Sequence, residues 1–365
     1  MLMGRKMCKI NNQVIMILND IIYTHNLDPS KYKEVEWREL FESAEKKSLL
    51  PLIFSEVSNS KIFSTIDKTI INEFKNKSVA VENENKKNLK KYMLVVNELK
   101  KTNIKFILTG SLISRELYLR PETRSIENID ILISENDLND VDNILQSLGY
   151  VKFPQEVNKK DVIFVNKNMS IRVRWTLIND SFIEVKKLLF KEGLLKESRE
   201  MEFENMNILV TSLEDTLINL CLDMSEQVYH DELDLREILD LVLLVEKYES
   251  KIDWKSFLNK SKRCGIYRFV IAIFTIGNKI FNMTIPSLIN KQEKIEDKYI
   301  ELLIDELTSE LVDSNENNYF SHKLQNNILN RTINKIKEVF KNLISNKSDS
   351  GSYNYRDELL KELGL

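Results

Sequence analysis

Two short segments of the chain carry residue types that can hold a phosphate group or a metal ion. In the first, an apolar run leads into Gly110 and Ser111. A glycine lets the backbone approach an anion, and free amides and a hydroxyl at a helix start can donate to it. In the second, Asn128 and Asp130 are two positions apart, so both side chains lie on one face of a strand. Because a carboxylate there could hold Mg²⁺ against triphosphate oxygens, the two segments predict a phosphate-handling site.

The elements that must position these residues follow from a change in hydrophobic period at residue 104. Before this point apolar residues recur at helical spacing over 10–23, 35–49 and 66–101, and the second of these segments ends before Pro51. After residue 104, short apolar or alternating runs indicate strands. The predicted strands are IKFIL (104–108), NIDILI (128–133), DVIFVN (161–166) and SIRVRWTL (170–177). One helix is predicted after Gly110 and another over 137–150, with Gly149 as its C-cap. This order predicts a small mixed α/β sheet.

Helical periodicity returns at Ser212, which together with Asp215 resembles a capping box. The further helices predicted on this side cover 233–248, 254–263, 266–282, 291–311 and 324–344. The expected regions are an N-terminal helical region (1–103), an α/β core (104–211), a C-terminal helical bundle (212–345), and a linker with a short tail (346–365).

The composition narrows the class of protein. The chain has only 8 Gly and 5 Pro, which are too few for the many turns of an all-β fold. The P-loop, dinucleotide-binding, nucleophile-elbow and zinc-protease motifs are absent from the sequence. The 3 Cys are far apart, which argues against disulfides and zinc and for a reducing compartment. A net charge of -3 makes nucleic acid an unexpected partner. Since neither a signal peptide nor a membrane-spanning run is present, we expect a cytoplasmic protein without a membrane partner.

The segment LTGSLISRELYLRPETRSIENIDILI (108–133) resembles the nucleotidyltransferase superfamily pattern hG[GS] followed by DhD. More narrowly, it is similar to the bacterial uncharacterised nucleotidyltransferases, including Pro121 and Arg124 before the second strand. The resemblance continues in EVEWRELFESAEKKSLLPLIF (34–54), IRVRWTL (171–177) and LREILDLVLLVEKYESKIDW (235–254). It implies an α+β fold, in which a small mixed-sheet nucleotidyltransferase core is flanked by an N-terminal helical region and a C-terminal helical bundle.

The resemblance also implies a site made of three carboxylates, and here the sequence departs from the pattern. The three positions are Asn128, Asp130 and Arg172, so the implied charge changes from -3 to zero. Asp130 remains as the one expected metal ligand, and Mg²⁺ is only weakly supported. Gly110, Ser111, Arg124 and Arg174 are the implied nucleotide- and phosphate-binding residues.

Several interpretations of these residues stay open at this stage. Asp130 and Arg172 can pair across adjacent strands, or Arg172 and Arg174 can form an anion clamp in place of a metal. A replacement carboxylate could come from Asp161, Asp180 or Glu184, and Arg124 could serve in a structural salt bridge instead of binding phosphate. A structural, hydrogen-bonded role is favoured for Asp240.

The family resemblance therefore predicts transfer of NMP from an NTP to an unknown hydroxyl or phosphate acceptor, a small molecule or a peptide. The substituted carboxylates argue against catalysis. They favour the alternative of a degenerate nucleotidyltransferase-fold binding protein. A further alternative is a transferase with a sugar-nucleotide donor that tailors peptide natural products, because relatives occur near genes for such peptides.

Overall fold

The structure is a computed structural model that describes residues 2–24, 26–126, 128–153, 161–167, 169–176, 193–229, 233–308 and 352–365. On the N-terminal side the helices are α1 (Leu2–Tyr23), α2 (Trp37–Lys46), α3 (Leu50–Ser58) and α4 (Lys68–Lys100). The core contributes α5 (Ser111–Ser114), α6 (Leu138–Ser147) and α7 (Gly193–Glu197). The remaining helices are α8 (Leu213–Tyr229), α9 (Leu235–Tyr248), α10 (Trp254–Arg263), α11 (Tyr267–Phe281), α12 (Ser287–Asn290), α13 (Asp297–Thr308) and α14 (Ser352–Leu363).

Seven strands in the described part of the chain form one mixed sheet. They are β1 (Phe106–Thr109), β2 (Asn128–Ile133), β3 (Val151–Lys152), β4 (Asp161–Asn166), β5 (Met169–Arg174), β6 (Arg199–Phe203) and β7 (Met206–Val210). The strand order is β3-β4-β5-β2-β1-β7-β6. Strand β1 is antiparallel to β2 and parallel to β7, whereas β2 is parallel to β5. A mixed sheet flanked by helices confirms the predicted α+β class.

The two faces of the sheet pack against different helices. Leu108, Ile131 and Val173 belong to a core shared with α4 and α6. Ile107 and Leu132 face the other way, into the core formed with the helices of the C-terminal half. Because strand side chains alternate between faces, Asp130, two positions before Leu132, also faces the C-terminal helices.

The helical C-terminal half begins where the capping box predicts it. The backbone N–H of Asp215 donates to Ser212 Oγ at 3.1 Å, and Ser212 Oγ donates to the Asp215 carboxylate. The segment expected as a tail contains α14, whose Leu359 and Leu363 are buried in the same core. The helix predicted over 324–344 lies outside the described residues. Within them, no helix is both long enough and apolar enough to cross a membrane.

The last two strands form a hairpin that the sequence analysis did not predict. Strands β6 and β7 are antiparallel, and only Glu204 and Asn205 connect them. Both connecting residues have positive φ, 47° and 61°, as a two-residue hairpin turn whose twist matches its strands requires. The hairpin extends the sheet beyond β1 and so encloses β1 between two neighbouring strands.

Candidate functional site

A row of polar side chains crosses the sheet on the face that looks toward the C-terminal helices. Thr109 of β1 is paired with Asp130 of β2, and Asp130 is paired with Arg172 of β5. Residues directly opposite one another on neighbouring strands have side chains on the same face, so the three lie side by side. Arg174 follows two positions after Arg172 and extends the row on the same face.

Asp130 and Arg172 form a bidentate ion pair. Arg172 Nε donates to Asp130 Oδ1 at 2.7 Å, and Arg172 Nη2 donates to Asp130 Oδ2 at 2.5 Å. The Asp130 side chain is 1% exposed and that of Arg172 is 16% exposed. The pairing across adjacent strands, one of the two interpretations open from the sequence, is thereby confirmed. Two parallel charge-assisted hydrogen bonds make this a strong and orienting contact.

Helix α8 supplies the other side of the site. Asn219 and Asp223 are four positions apart and share a helix face. Arg172 Nη2 also donates to Asp223 Oδ1 at 3.1 Å, and Asn219 Nδ2 donates to Asp223 Oδ2 at 3.0 Å. Arg174 Nη1 donates to Asn219 Oδ1 at 2.9 Å. The network of Asp130, Arg172, Arg174, Asn219 and Asp223 thus joins the sheet to the C-terminal helices.

Burial and neighbouring charges shift the pKa values of the charged residues in this network in different directions. Burial lowers the pKa of Arg172, but Asp130 and Asp223 outweigh it and hold that pKa well above its usual value. Burial and the nearby charge of Arg172 lower the pKa of Arg174. Burial raises the pKa of Asp223 despite the two arginines. Both guanidiniums carry a positive charge. Asp130 accepts two hydrogen bonds from Arg172 and is its principal partner.

The loop after β1 is held tightly against the same carboxylate. Gly110 has φ +76° and ψ −154°, a combination essentially restricted to glycine, and a Cβ there would lie 2.9 Å from Asp130 Oδ2. Ser111 Oγ donates to the main-chain oxygen of Asn128 at 2.7 Å, which fixes the loop to β2. The hydroxyl hydrogen of Ser111 is therefore used within the protein.

Arg124 lies in a second buried network. It donates through Nε and Nη2 to the Asp240 carboxylate, and Nη2 is 2.9 Å from Asp240 Oδ2. Tyr118 Oη donates to Asp240 Oδ1 at 2.6 Å. The side chains of Arg124 and Asp240 are 6% and 1% exposed. Asp240 thus has the hydrogen-bonded structural role expected of it, and the guanidinium of Arg124 is committed to this pair.

The structure brings some of the sequence-predicted residues together and adds others. Asp130, Arg172 and Arg174 meet in one network, with Gly110 against Asp130, whereas Arg124 belongs to the network around Asp240. Neither Asn219 nor Asp223 was among the predicted site residues. Their four-residue spacing on a helix that is otherwise mostly buried and apolar was the available signal.

Of the three residues considered as a replacement carboxylate, Asp161 lies within the described part of the chain. Asp161 is 9% exposed and is paired in register with Arg174, and its charge helps to raise the pKa of Arg172. Asp180 and Glu184 lie outside the described residues.

The residues of the site do not fit a divalent metal ion. Both oxygens of Asp130 accept hydrogen bonds from Arg172, and the cationic Arg174 Nη1 lies 3.7 Å from Asp130 Oδ2. Among the described residues, no three His, Cys, Asp or Glu side chains are arranged to hold a metal ion. Mg²⁺ needs several oxygen ligands free of positive neighbours. The predicted metal ligand Asp130 is therefore engaged by a guanidinium in this structure.

The chain matches the model of the family described as uncharacterised nucleotidyltransferase over residues 33–282. This match spans more than half of the chain and includes the sheet, the polar row and helices α8 and α9. The chain therefore belongs to this nucleotidyltransferase family, as the motif resemblance implies. No curated protein matches the chain.

Three solved structures are similar to part of this chain, at low sequence identity and low TM-score. A protein assigned as a nucleotidyltransferase from Thermotoga maritima is 20% identical, with 42% of this chain and 92% of that chain covered and a TM-score of 0.30. The lincosamide antibiotic adenylyltransferase LnuA, solved with lincomycin, is 15% identical, with 42% and 94% covered and a TM-score of 0.32. The antibiotic-resistance factor ANT(2'')-Ia is 10% identical, with 45% and 85% covered and a TM-score of 0.34.

Proposed function

We propose that this chain is a catalytically degenerate member of its nucleotidyltransferase family. In this proposal it binds a ligand with the family fold but does not transfer NMP from an NTP by the metal-dependent route. The observation that supports this most strongly is the bidentate pair between Asp130 and Arg172, with hydrogen bonds of 2.7 and 2.5 Å. Phosphoryl transfer depends on neutralising and positioning the phosphate oxygens, usually with metal ions. A carboxylate already bound to a guanidinium is poorly suited to hold those ions.

The charge balance also argues against an anion clamp made of Arg172 and Arg174. Arg172 faces the carboxylates of Asp130 and Asp223 at 2.5 and 3.1 Å. Arg174 lies 3.7 and 3.9 Å from the same two carboxylates. Two arginines against two aspartates leave no net positive charge to attract a triphosphate. Recognition of a nucleotide, a small molecule or a peptide is then expected to be independent of metal.

Two other functions considered from the sequence receive less support. Active NMP transfer needs Asp130 to release Arg172 and accept a metal next to Arg174. A sugar-nucleotide donor has no identifying residue within the described part of the chain. A binding function requires neither the release of Arg172 by Asp130 nor a site for a sugar-nucleotide donor.

The experiment compares NTP binding and turnover with and without metal. Wild-type protein is titrated with each of the four NTPs in Mg²⁺, in Mn²⁺ and in EDTA by isothermal calorimetry, and pyrophosphate release is followed in parallel. We expect no pyrophosphate release. The affinity for each NTP, whether measurable or not, should be the same in Mg²⁺, in Mn²⁺ and in EDTA. Metal-dependent pyrophosphate release that disappears in Asp130→Ala would show an active transferase and would contradict the proposal.

A matched variant tests whether the substituted positions are responsible. Asn128→Asp combined with Arg172→Glu places carboxylates at both substituted positions of the family pattern. This variant is expected to gain metal-dependent NTP binding that the wild type lacks. If it folds and its NTP binding stays identical to wild type, the two substitutions are not what prevents metal binding.

A further inference from the structure

We propose that the exposed face of α4 is a docking surface for an acidic amphipathic helix of a partner protein. Seven side chains spaced three or four positions apart form one row along α4 and its C-cap. This row, the α4 stripe, contains no acidic residue. Its members are all exposed, and they are Val79, Asn83, Lys86, Lys90, Leu94, Asn97 and Lys101.

The opposite face of α4 is used inside the protein. Phe74, Leu89, Tyr92, Val96 and Leu99 on that face are buried. This packing fixes the rotation of the 33-residue helix about its own axis, so the α4 stripe is held facing outward. At 1.5 Å per residue the helix is about 50 Å long, which gives a second helix a regular surface to follow. Because α4 packs on the sheet face opposite to the polar network, this inference does not depend on the proposed function.

The part of α4 that carries the stripe is strongly basic. Residues 83–101 contain six lysines and two glutamates, which gives a net charge of +4 in a chain whose net charge is -3. Lys86 and Lys87 each reach one carboxylate, at 3.8 and 3.7 Å, and their side chains are 54% and 65% exposed. Lys90 forms no ion pair with any described residue. The positive charge of this surface is therefore not neutralised within the protein, and it complements an acidic partner.

Two exposed apolar side chains lie among these lysines. Leu94 is 59% exposed and Val79 is 45% exposed. Burial of such side chains against a partner is favourable, because apolar surface is removed from water. Leu94 follows Lys90 by one helical turn, so a partner helix that covers Leu94 brings its own next turn over Lys90. The expected partner therefore carries an apolar residue with Asp or Glu one turn away.

Other classes of partner fit the α4 stripe less well. A membrane surface binds a helix with a broad apolar face, whereas Val79 and Leu94 are about 22 Å apart along the helix. A single-stranded nucleic acid is held by exposed aromatic side chains, and the stripe has none, since the nearby Tyr92 is 1% exposed. An acidic amphipathic helix uses both the lysines and the leucine.

The test uses a fluorescently labelled synthetic peptide of three heptads that has leucines on one helix face and glutamates at the flanking positions. A second peptide has Gln in place of every Glu. We expect wild-type protein to bind the Glu peptide about tenfold or more tightly than the Gln peptide in fluorescence anisotropy at low salt. Carbodiimide, which joins carboxylates to amines in direct contact, should cross-link the Glu peptide to Lys86, Lys87 or Lys90.

Variants of the α4 stripe separate the roles of charge and apolar contact. Lys86→Gln combined with Lys90→Gln should weaken binding of the Glu peptide about tenfold, and Leu94→Ser should weaken it about fivefold. The matched control is Lys33→Gln combined with Lys61→Gln, which removes two exposed lysines outside α4 and should bind like wild type. Absence of binding, equal binding of the two peptides, or equal losses in the control and in the α4 variant overturns the inference.

Three further measurements test other occupants of the same face. Duplex DNA and phosphatidylserine vesicles are titrated with wild type and with the Lys86→Gln, Lys90→Gln variant. Tighter binding of DNA or vesicles than of the Glu peptide, lost in that variant, overturns the choice of a protein partner. Sedimentation equilibrium measures self-association. A wild-type dimer that dissociates in Leu94→Ser would place a second copy of the chain on this face and would likewise overturn the inference.

Discussion

Gly110 lies directly against the carboxylate of Asp130. A Cβ atom at Gly110 would be 2.9 Å from Asp130 Oδ2, closer than a carbon and an oxygen approach without a shift. The same carboxylate is held from the other side by Arg172. Asp130 is therefore packed between the backbone of Gly110 on one side and the guanidinium of Arg172 on the other. A substitution that moves one of these three groups is expected to shift the other two.

Gly110→Ala should destabilise the protein by about 3 kcal/mol, since the backbone conformation is nearly restricted to glycine and the added methyl displaces Asp130. The matched control is Gly149→Ala. Gly149 also has a positive φ, +82°, but its Cβ would meet only Asn166 Nδ2 at 3.4 Å. The control should lose only about 1 kcal/mol. Urea unfolding gives the free energy of unfolding of each variant. An equal decrease in the two variants would mean that the contact between position 110 and Asp130 does not contribute.

Asp130→Asn should lower the free energy of unfolding by about 3 kcal/mol, because it removes the bidentate carboxylate partner of the buried Arg172 and leaves Asp223 as the remaining carboxylate in contact with it. The control, Asp142→Asn, removes the partner of Lys152 in an ion pair at 3.5 Å, where the lysine side chain is 48% exposed. That change should be at most about 1 kcal/mol. A small effect of Asp130→Asn in chemical denaturation would show that the central pair contributes little to stability.

Tyr118→Phe should destabilise the protein by about 1.5 to 3 kcal/mol, because the buried hydroxyl donates to the carboxylate of Asp240 at 2.6 Å. Tyr23→Phe is the matched change, since Tyr23 Oη donates to Glu246 at 2.9 Å on the surface. It should have an effect of about 0.5 kcal/mol or less. Thermal and urea denaturation would give the two values, and similar losses would contradict the importance of the network around Asp240.

Glu237→Gln should make stability less dependent on pH. Burial, then the charges of Asp223 and Asp234, raise the pKa of Glu237 well above its usual value, and its Oε2 has no hydrogen-bond partner in the described part of the chain. A raised pKa in the folded state means that the associated stability is present at low pH and is lost as pH rises. The variant should therefore equal or exceed wild type at pH 8 and lose its advantage toward pH 4.5. Unfolding curves across this range check the sign, and a variant that loses stability mainly at high pH would contradict it.

Strong periodicity predicted the helices α6, α8, α9, α10 and α11 and the strands β1, β2, β4 and β5, which the described part of the chain contains. It missed the β6–β7 hairpin, because Glu204 and Asn205 adopt positive φ without the glycine that usually marks such turns. It also ended the second helical segment before Pro51. In the structure α3 begins at Leu50, with the proline in its first turn, where no backbone donor is needed.

The candidate site could be predicted only in part. The sequence offered a pair between Asp130 and Arg172 as one of two interpretations, and the observed register of β2 against β5 places the two side by side. The contribution of Asp223 depends on how α8 packs over the sheet, which no local pattern specifies. For Arg124, binding phosphate and serving in a structural salt bridge were both compatible with the sequence, and the contact with Asp240 favours the salt bridge.

A crystal structure grown with Mn²⁺ and a non-hydrolysable NTP, with anomalous scattering recorded at the manganese edge, tests most directly whether Asp130 is unavailable to a metal ion. We expect no anomalous peak at Asp130 and an intact bidentate pair between Asp130 and Arg172. A manganese peak coordinated by Asp130, with Arg172 displaced from the carboxylate, would contradict it.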